Sequence, residues 1–328
     1  MRSLAELTTL RVGGTPNSMV VATTESEIIE AVSANPNALI LGGGSNVLVS
    51  DNFHGDVIKI ESHGFENDES ACAGAWVTVA AGHNWNDFVA TAVANGWTGI
   101  EGLAGIPGTV GATPIQNVGA YGQSVSETIA QVRAWNRKTK SVDTIFAADC
   151  EFGYRTSVFK AKPDTWVILS VTFQLPLGTM SAPIAYNELA AKLKVELGDR
   201  VSTSDLQTAV LELRAGKGMV LDSTDHDTWS VGSFFMNPRV TTAPDNAPHW
   251  PEADGTVKVS AAWLIEQAGF NKSFTLNGRA ALSSKHTLAI TNRGDATSAD
   301  ISELADHIVA GVKAKFDIEL KPEATFIN

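Results

Sequence analysis

Three short segments, far apart in the chain, contain side chains that together suit the reduction of an activated double bond. They are residues 152–155 (Phe-Gly-Tyr-Arg), 232–238 (Gly-Ser-Phe-Phe-Met-Asn-Pro) and 320–328 (Leu-Lys-Pro-Glu-Ala-Thr-Phe-Ile-Asn). Arg155 is a permanent cation, Ser233 offers a hydroxyl proton and Glu323 offers a carboxyl group. A cation stabilises the charge that hydride addition leaves, and a hydroxyl can then deliver a proton. The set therefore predicts hydride addition followed by proton transfer.

Each of these residues also has an ordinary structural explanation when it is taken alone. Arg155 could form a surface or structural ion pair. Ser233 could cap or turn the chain before a Phe-Phe strand. Glu323 lies near Glu319, and either could be a solvated surface charge.

Upstream, residues 42–46 (Gly-Gly-Gly-Ser-Asn) follow a short apolar run that predicts a buried strand. Successive glycines let backbone N–H groups converge on an anion, and Ser45 and Asn46 add donors, so a diphosphate would fit. The segment matches neither the dinucleotide fingerprint nor the lysine-containing phosphate loop. The alternative is an ordinary glycine turn.

A second glycine-rich segment covers residues 105–122 (Gly-Ile-Pro-Gly-Thr-Val-Gly-Ala-Thr-Pro-Ile-Gln-Asn-Val-Gly-Ala-Tyr-Gly). Its backbone can approach a flat ring, and Thr109, Thr113, Gln116 and Asn117 can bond a polar ring edge such as that of an isoalloxazine. The alternative is a structural Ω-loop.

The periodicity of apolar residues predicts alternating strands and helices. Strands are expected at 18–22, 38–41, 56–60, 76–80, 129–135, 141–145, 166–173, 287–290 and 324–327, and helices at 187–197, 204–215 and 261–268, with others beginning after Thr24, Asn84 and Thr297. Glu27 and Asp300 complete capping boxes for two of these helices. Residues 63–73 and 222–230 are polar and are expected to be a boundary and a linker, and residues 99–122 are too rich in glycine and proline for a helix.

Composition limits the class of protein. The chain has 328 residues, 44% of them hydrophobic, which suffices for more than one core. Its net charge of −12 argues against a nucleic-acid-binding face. Cys72 and Cys150 form no spaced motif, so we expect two buried, reduced thiols. Asp225-His226-Asp227 is expected to be a solvated loop, with no metal bound. No secretory signal or membrane helix is evident, which predicts a soluble, cytoplasmic protein.

Five motifs occur in an order that resembles a known family. They are residues 42–46, residues 105–122, the Tyr154-Arg155 pair, residues 232–235 and the Pro322-Glu323 pair. From residues 9–13 (Thr-Leu-Arg-Val-Gly) to its end, the chain resembles type I UDP-N-acetylenolpyruvoylglucosamine reductases, flavoenzymes of peptidoglycan precursor synthesis. The resemblance implies an α+β fold. It would have a two-part FAD-binding region of the vanillyl-alcohol-oxidase-like type, residues 1–62 and 63–218 with 317–328 returning to the latter, and a substrate domain at 219–316.

The resemblance also implies that Arg155, Ser233 and Glu323 are catalytic. Arg155 would stabilise the enolate formed when hydride reaches the enolpyruvyl group, and Ser233 would protonate the adjacent carbon. Glu323 would hold the substrate carboxylate if it is protonated, or orient Arg155 if it is ionised. The sequence leaves both roles open.

The same comparison, taken with the glycine segments, implies two sets of binding residues. Those expected to hold FAD without a covalent bond are Gly42, Gly43, Gly44, Ser45, Asn46, Gly108, Thr109, Thr113, Gln116, Asn117, Gly119, Tyr121 and Arg214. Those expected to bind substrate are Tyr154, Tyr186, Lys217 and Asn237. Lys217 could instead complement a helix dipole. Met236 and Thr325 replace residues that are often lysine and arginine in the family, which leaves details of the contacts open.

The predicted reaction has NADPH reducing FAD and leaving. UDP-N-acetylglucosamine enolpyruvate would then take hydride and a proton to give UDP-N-acetylmuramate. The partners are thus a UDP-sugar and NADPH, with neither nucleic acid nor membrane, and a monomer or weak oligomer is expected. Two alternatives are an FAD oxidase of the same cofactor fold and a non-catalytic nucleotide-binding module. The chain lacks an obvious motif for attaching flavin covalently, and it retains all three catalytic candidates.

Overall fold

The computed structural model describes residues 2–328, which divide into two units. We call Asn17–Gly43 with Gly55–Ala215 the sheet unit. The described residues up to Pro16, with Gly44–His54 and Gly216–Asn328, form the terminal unit. The strands are β1 Ser18–Ala22, β2 Leu39–Leu41, β3 Val47–Val49, β4 Asp56–Ile60, β5 Phe65–Ser70, β6 Gly74–Ala80, β7 Gly119–Ala120, β8 Gln123–Ser124, β9 Ile129–Asn136, β10 Ser141–Phe146, β11 Trp166–Leu175, β12 Arg239–Val240, β13 His249–Pro251, β14 Val257–Val259, β15 Ala280–Leu282, β16 Ile290–Asn292 and β17 Thr325–Ile327.

The α-helices are α1 Glu25–Ala34, α2 Trp85–Ala94, α3 Thr113–Gln116, α4 Val158–Ala161, α5 Asn187–Leu193, α6 Thr203–Gly216, α7 Ala261–Gln267 and α8 Ser298–Phe316. Short 3₁₀ turns lie at Leu4–Glu6, Glu101–Leu103, Val110–Ala112, Val125–Glu127, Ala147–Cys150 and His226–Thr228. This mixture confirms the predicted α+β class. In residues 2–328 no helix has both the length and the apolar character needed to cross a membrane.

The sheet unit begins with a parallel sheet in the order β1–β4–β2. Helix α1 starts as predicted, because the Thr24 hydroxyl accepts the Glu27 N–H at 3.2 Å. The Glu27 carboxylate also accepts hydrogen bonds from the N–H and hydroxyl of Thr23. Ile28 and Val32 point from this helix into the core. The predicted strands before and after α1 are present.

A five-stranded antiparallel sheet in the order β10–β9–β11–β6–β5 forms the rest of the core of the sheet unit. Helix α2 packs its buried Trp85 and Phe88 on Phe173 of β11, with ring centroids 5.9 and 5.1 Å from it. The prediction that residues 63–73 are a boundary was wrong, because β5 pairs with β6 there. The acidic, exposed residues of β5 suit the outer edge of a sheet, where charge discourages further pairing.

The glycine-rich segment is more regular than its composition suggests. Residues 99–122 contain two 3₁₀ turns and the single helical turn α3, so the prediction that they form no helix was wrong for four residues. Pro114 sits at the start of α3, where its missing N–H costs nothing. Asn117 ends the turn with φ +44°, a left-handed conformation that asparagine tolerates. Strands β7 and β8 then form a hairpin through Tyr121 and Gly122, both with positive φ.

The terminal unit is built around α7, α8 and three small sheets. These sheets are β12–β14–β13, β15–β16 and the parallel pair β17–β3. Their shared core includes Phe234, Phe235 and Leu264. Strand β17 thus pairs with β3, so the prediction that residues 317–328 return to residues 63–218 was wrong for this strand. The predicted domain boundaries stay a prediction. The strand expected at 287–290 lies at Ile290–Asn292.

Two smaller expectations were wrong. Cys150 is a buried free thiol as expected, but Cys72 is exposed in the turn between β5 and β6. Asp227 is not solvated. It is buried and accepts hydrogen bonds from Ser284 and from Arg293 at 2.8 Å. Burial alone would raise the pKa of Asp227, but these bonds outweigh it and lower the pKa.

Helix α8 begins with the predicted capping box. The Thr297 hydroxyl accepts the Asp300 N–H, and the Asp300 carboxylate accepts the Thr297 N–H at 2.8 Å. Arg279 and Asn277 also donate to Asp300, which is 5% exposed. Burial would raise the pKa of Asp300, yet these hydrogen bonds hold it well below its usual range. The carboxylate therefore stabilises the folded state only while it is ionised.

We expect Asp300→Asn to lower the free energy of unfolding by about 2 kcal/mol at neutral pH. Because the folded pKa is depressed, the stabilisation is present above the unfolded pKa of about 4 and is lost as the pH falls below it. Urea unfolding at several pH values measures this difference. The exposed Asp306→Asn on the same helix is the control. A penalty for Asp300→Asn that stays constant from neutral to strongly acidic pH would contradict the assignment.

Candidate functional site

The first half of the Gly-Gly-Gly-Ser-Asn loop belongs to the sheet unit and leaves no space for side chains. A Cβ atom at Gly42 would lie 2.7 Å from the Thr109 hydroxyl, and one at Gly43 would lie 2.6 Å from the Gly108 Cα. The Gly42 carbonyl accepts a 2.5 Å hydrogen bond from the Lys59 ammonium. Burial lowers the pKa of Lys59, and Glu61 opposes that shift. The backbone of Gly42 and Gly43 therefore packs closely against residues 108 and 109 of the second glycine-rich segment.

The second half of the loop belongs to the terminal unit. Gly44 has φ +63°, and a Cβ there would collide with the Leu7 carbonyl. Its own carbonyl accepts the Thr9 N–H at 3.1 Å, and the Asn46 carbonyl accepts the Thr325 N–H at 3.0 Å. The Gly42, Gly44 and Asn46 carbonyls are thus bound to protein donors, and a side chain at Gly42, Gly43 or Gly44 would collide with neighbouring atoms. A side-chain-free cradle of this kind fits a diphosphate.

In the sheet unit, four side-chain hydrogen bonds between described residues tie residues 115–119 to residues 153–160. We call this set the clamp. Its bonds are Ser157 Oγ to the Ile115 carbonyl (2.9 Å), Lys160 Nζ to Gln116 Oε1 (2.5 Å), Asn117 Nδ2 to the Gly153 carbonyl (3.0 Å) and Arg155 Nη2 to the Gly119 carbonyl (2.9 Å). The segment predicted to hold a ring edge is thus fixed to the segment that carries the predicted cation.

Arg155 sits in a tight turn in which Gly153 and Thr156 exchange backbone hydrogen bonds at 3.0 and 3.3 Å. Its φ of +54° is uncommon for a residue with a side chain and costs about 1 kcal/mol. Its guanidinium carbon lies 5.9 Å from the centroid of the Tyr154 ring. The turn and the clamp together hold this conformation.

A second arginine of the sheet unit adds positive charge to the same region. Burial lowers the pKa of Arg214 to about 10; Tyr121 opposes this shift and Arg155 adds to it. Burial likewise raises the pKa of Tyr121, and Arg214 opposes that rise. Arg214 remains a cation at neutral pH, and two guanidinium groups that repel each other favour a nearby anion. Tyr186, which is exposed, has its ring 6.1 Å from that of Tyr121.

Among the remaining predicted groups of residues 105–122, Thr109 and Thr113 are buried and Gly108 is half-buried. Thr109 pairs with Asn84 through an isolated bridge, and the Gly108 carbonyl accepts the Trp85 N–H at 3.1 Å. The Thr113 hydroxyl donates to the Val110 carbonyl at 2.8 Å. Thr109 and Thr113 therefore also shape the segment.

In the terminal unit, Ser233 and Glu323 lie on neighbouring extended segments. Phe235 and Pro322 form an antiparallel bridge, and the Glu323 N–H donates to the Phe234 carbonyl at 2.8 Å. Phe234 and Phe235 are buried and anchor the Ser233 segment, while Ser233 and Glu323 themselves are half-buried. The structure thus brings together two of the three predicted catalytic residues in one unit.

Two further predicted substrate residues lie in the terminal unit. The Asn237 amide oxygen accepts the Ala261 N–H at 2.9 Å, at the start of α7, so its Nδ2 points away from that helix. Lys217 follows the last residue of α6 and is half-buried.

Sequence analysis missed Lys59 and Lys160, which hold the two glycine-rich segments. Lys59 interrupts the apolar run Val57–Ile60 of β4, and a lysine inside such a run indicates a specific local contact. Lys160 lies five residues after Arg155, and nothing in the sequence indicates its contact with Gln116.

Two segments of the chain match known protein families. Residues 16–144 match an FAD binding domain, and residues 223–327 match the C-terminal domain of UDP-N-acetylenolpyruvoylglucosamine reductase. The protein of that name from Cutibacterium acnes is 52% identical over 99% of this chain and 89% of its own length. The chain belongs to the UDP-N-acetylenolpyruvoylglucosamine reductase family.

Other family members agree with this assignment. The relative from Mycolicibacterium gilvum is 48% identical over 99% of this chain and 95% of its own length, and the relative from Streptomyces coelicolor is 47% identical over 99% and 89%. The crystal structure of the reductase (MurB) from Thermus caldophilus shares the fold, with a TM-score of 0.69 and 23% identity, covering 100% of this chain and 98% of that one.

The protein is therefore an FAD-dependent oxidoreductase, as the sequence predicted. The side-chain-free backbone at Gly42 and Gly43 and the fixed amide of Gln116 fit this cofactor, because a diphosphate needs close backbone approach and a flavin needs fixed polar groups.

We expect Gly43→Ala to weaken FAD binding at least tenfold, about 1.4 kcal/mol, because its Cβ would force the loop away from Gly108. FAD titration of the apoprotein, followed by flavin absorbance and protein fluorescence, measures the dissociation constant. Gly178→Ala is the matched control, since its Cβ would meet only a methyl group at 3.7 Å. Equal affinity in the two variants would show that close backbone approach at Gly43 is not required.

Proposed function

We propose that this enzyme uses NADPH to reduce the enolpyruvyl group of UDP-N-acetylglucosamine enolpyruvate, giving UDP-N-acetylmuramate. The observation that carries the proposal is the pairing of the Ser233 and Glu323 segments in a flavoprotein. Its relatives are named UDP-N-acetylenolpyruvoylglucosamine reductase, and the match covers most of their length. The reaction supplies a precursor of peptidoglycan. We also propose that the enzyme works in the cytoplasm as a monomer or weak oligomer.

Arg155 acts in this proposal as the group that stabilises negative charge. FAD, once bound and reduced by NADPH, would supply the hydride that reaches the enolpyruvyl group. Charge then spreads onto the substrate carboxylate, and a guanidinium can meet a carboxylate with two parallel hydrogen bonds. The fixed turn around Arg155 means that little reorganisation is needed when the charge develops.

Ser233 acts as the general acid that protonates the remaining carbon. An alcohol is a weak acid, so it can give up a proton only to a strongly basic centre held beside it. The buried Phe234 and Phe235 fix the backbone that follows Ser233, and this limits how far its hydroxyl can move. A relay to solvent must restore the proton after each turnover.

Glu323 retains two roles in this proposal. A protonated Glu323 would hold the substrate carboxylate, whereas an ionised Glu323 would orient Arg155. Its backbone N–H bond to Phe234 fixes it beside the Ser233 segment in either case.

The binding residues divide by chemistry. Lys217 would contact the substrate diphosphate, Tyr186 would cover the nucleotide, and Asn237 and Tyr154 would make polar contacts. Arg214 is assigned to FAD, because a buried cation stabilises a cofactor phosphate.

An anaerobic spectroscopic experiment tests the proposed function. NADPH should bleach the flavin absorbance of the purified holoenzyme, and the enolpyruvyl nucleotide should restore it without oxygen. Reduced enzyme that is reoxidised only by oxygen would favour an oxidase. Holoenzyme that NADPH fails to bleach would overturn the assignment of the electron donor.

We expect Ser233→Ala to leave reduction by NADPH unchanged and to slow reoxidation by the enolpyruvyl nucleotide about 10³-fold. The reason is that only the second half-reaction needs a proton at carbon. Stopped-flow absorbance measures each half-reaction separately, with the exposed Ser223→Ala as the control. Reoxidation of Ser233→Ala at the rate of the control would reject Ser233 as the acid.

A further inference from the structure

We propose that Lys160 is a positioning residue that holds Gln116 and Arg155 in a fixed relation. The inference rests on the proposed function, in which Arg155 contacts substrate, and on the sequence prediction that Gln116 contacts FAD. The Lys160 ammonium donates to Gln116 Oε1 at 2.5 Å and to the Arg155 carbonyl at 3.2 Å. One side chain thus bonds to both predicted ligand-binding segments.

The position of Lys160 is itself fixed by α4. The Ser157 hydroxyl caps this helix, accepting the Lys160 N–H at 3.4 Å, and donates to the Ile115 carbonyl. The start of α4 is therefore tied to the residue just before Gln116. Lys160 is half-buried, so its ammonium reaches these acceptors from a restricted position.

The contact with Gln116 sets the direction of an amide. An ammonium group only donates hydrogen bonds, so it selects the oxygen of the Gln116 amide and turns the Nε2 group away from Lys160. Gln116 is 9% exposed, and reversing its amide would place two donors against each other. Lys160 therefore determines that Gln116 presents donors, not an acceptor, on its other side. Such donors suit the carbonyl and imine acceptors at the edge of a flavin ring.

The contact with Arg155 holds a strained turn from its backbone side. The Arg155 side chain is bonded to the Gly119 carbonyl, and its main-chain carbonyl is bonded to Lys160. The left-handed conformation of Arg155 is thus held at both ends. Without the ammonium, the carbonyl loses a charged donor and the guanidinium loses one of the constraints on its position.

The test compares Lys160→Met with Lys162→Met. Methionine keeps the length of the side chain and removes the ammonium, and Lys162 is an exposed lysine on the same segment. We expect Lys160→Met to bind FAD about tenfold more weakly and to alter the visible flavin spectrum, because the Gln116 amide is no longer oriented. We also expect about 10²-fold slower reoxidation at saturating nucleotide, a loss in kcat rather than in KM, because Arg155 is displaced.

A double-mutant cycle separates positioning from a general loss of stability. If Lys160 acts on FAD through Gln116, then Gln116→Leu and the double variant with Lys160→Met should bind FAD equally weakly. Fully additive effects, or flavin spectra and reoxidation rates equal to those of Lys162→Met, would overturn the proposal. Should Lys160→Met fail to fold, Lys160→Gln is measured in the same way, with the same two outcomes. Failure of the nucleotide to reoxidise unmodified enzyme would instead reject the proposed function, while the FAD measurements would still decide the role of Lys160 toward Gln116.

Discussion

The clamp between residues 115–119 and 153–160 is the constraint on which the site in the sheet unit depends. Both segments turn sharply and bring few ladder hydrogen bonds of their own, so side chains must supply partners for their carbonyls. Ser157, Asn117 and Arg155 do so across the clamp, and Lys160 donates to the Arg155 carbonyl. The side chain of Arg155, the predicted catalytic arginine, therefore makes one of the hydrogen bonds that fix its own position. Such an arrangement links the stability of the turn to the geometry of the site.

Close backbone approach is the second constraint, and it explains why the glycine residues are where they are. At Gly42 and Gly43 the loop runs against Thr109 and Gly108 of the other glycine-rich segment. The two segments predicted to hold the diphosphate and the ring of FAD are thus in mutual contact. A side chain at either position would shift both segments at once.

Short sequence patterns predicted most helices and strands, but they could not predict which distant residues contact each other. The caps at Thr24, Asn84 and Thr297 were read correctly because a hydroxyl or amide before an apolar stripe has few other uses. The acidic edge strand at Phe65–Ser70 was predicted to be a domain boundary, since an outer strand and a boundary segment are both solvated. The Lys160 contact joins residues 44 positions apart, and no periodicity reports such a pair. Residue chemistry grouped Ser233 with Glu323, but only the family resemblance implied that both are catalytic.

The chain terminus shows why a resemblance found what spacing could not. Within the terminal unit, Pro322 pairs with Phe235, Glu323 donates to Phe234, and Thr325 donates to Asn46. Residues 322–325 therefore hydrogen-bond both to the segment that carries Ser233 and to the second half of the Gly-Gly-Gly-Ser-Asn loop. Pairing of β17 with β3 directly after that loop fixes the register, since a slip by one residue would turn Glu323 to the opposite face. Strand β17 thus positions Glu323 as well as pairing with β3. Its partners are distant in sequence, so they can be identified only from the folded structure.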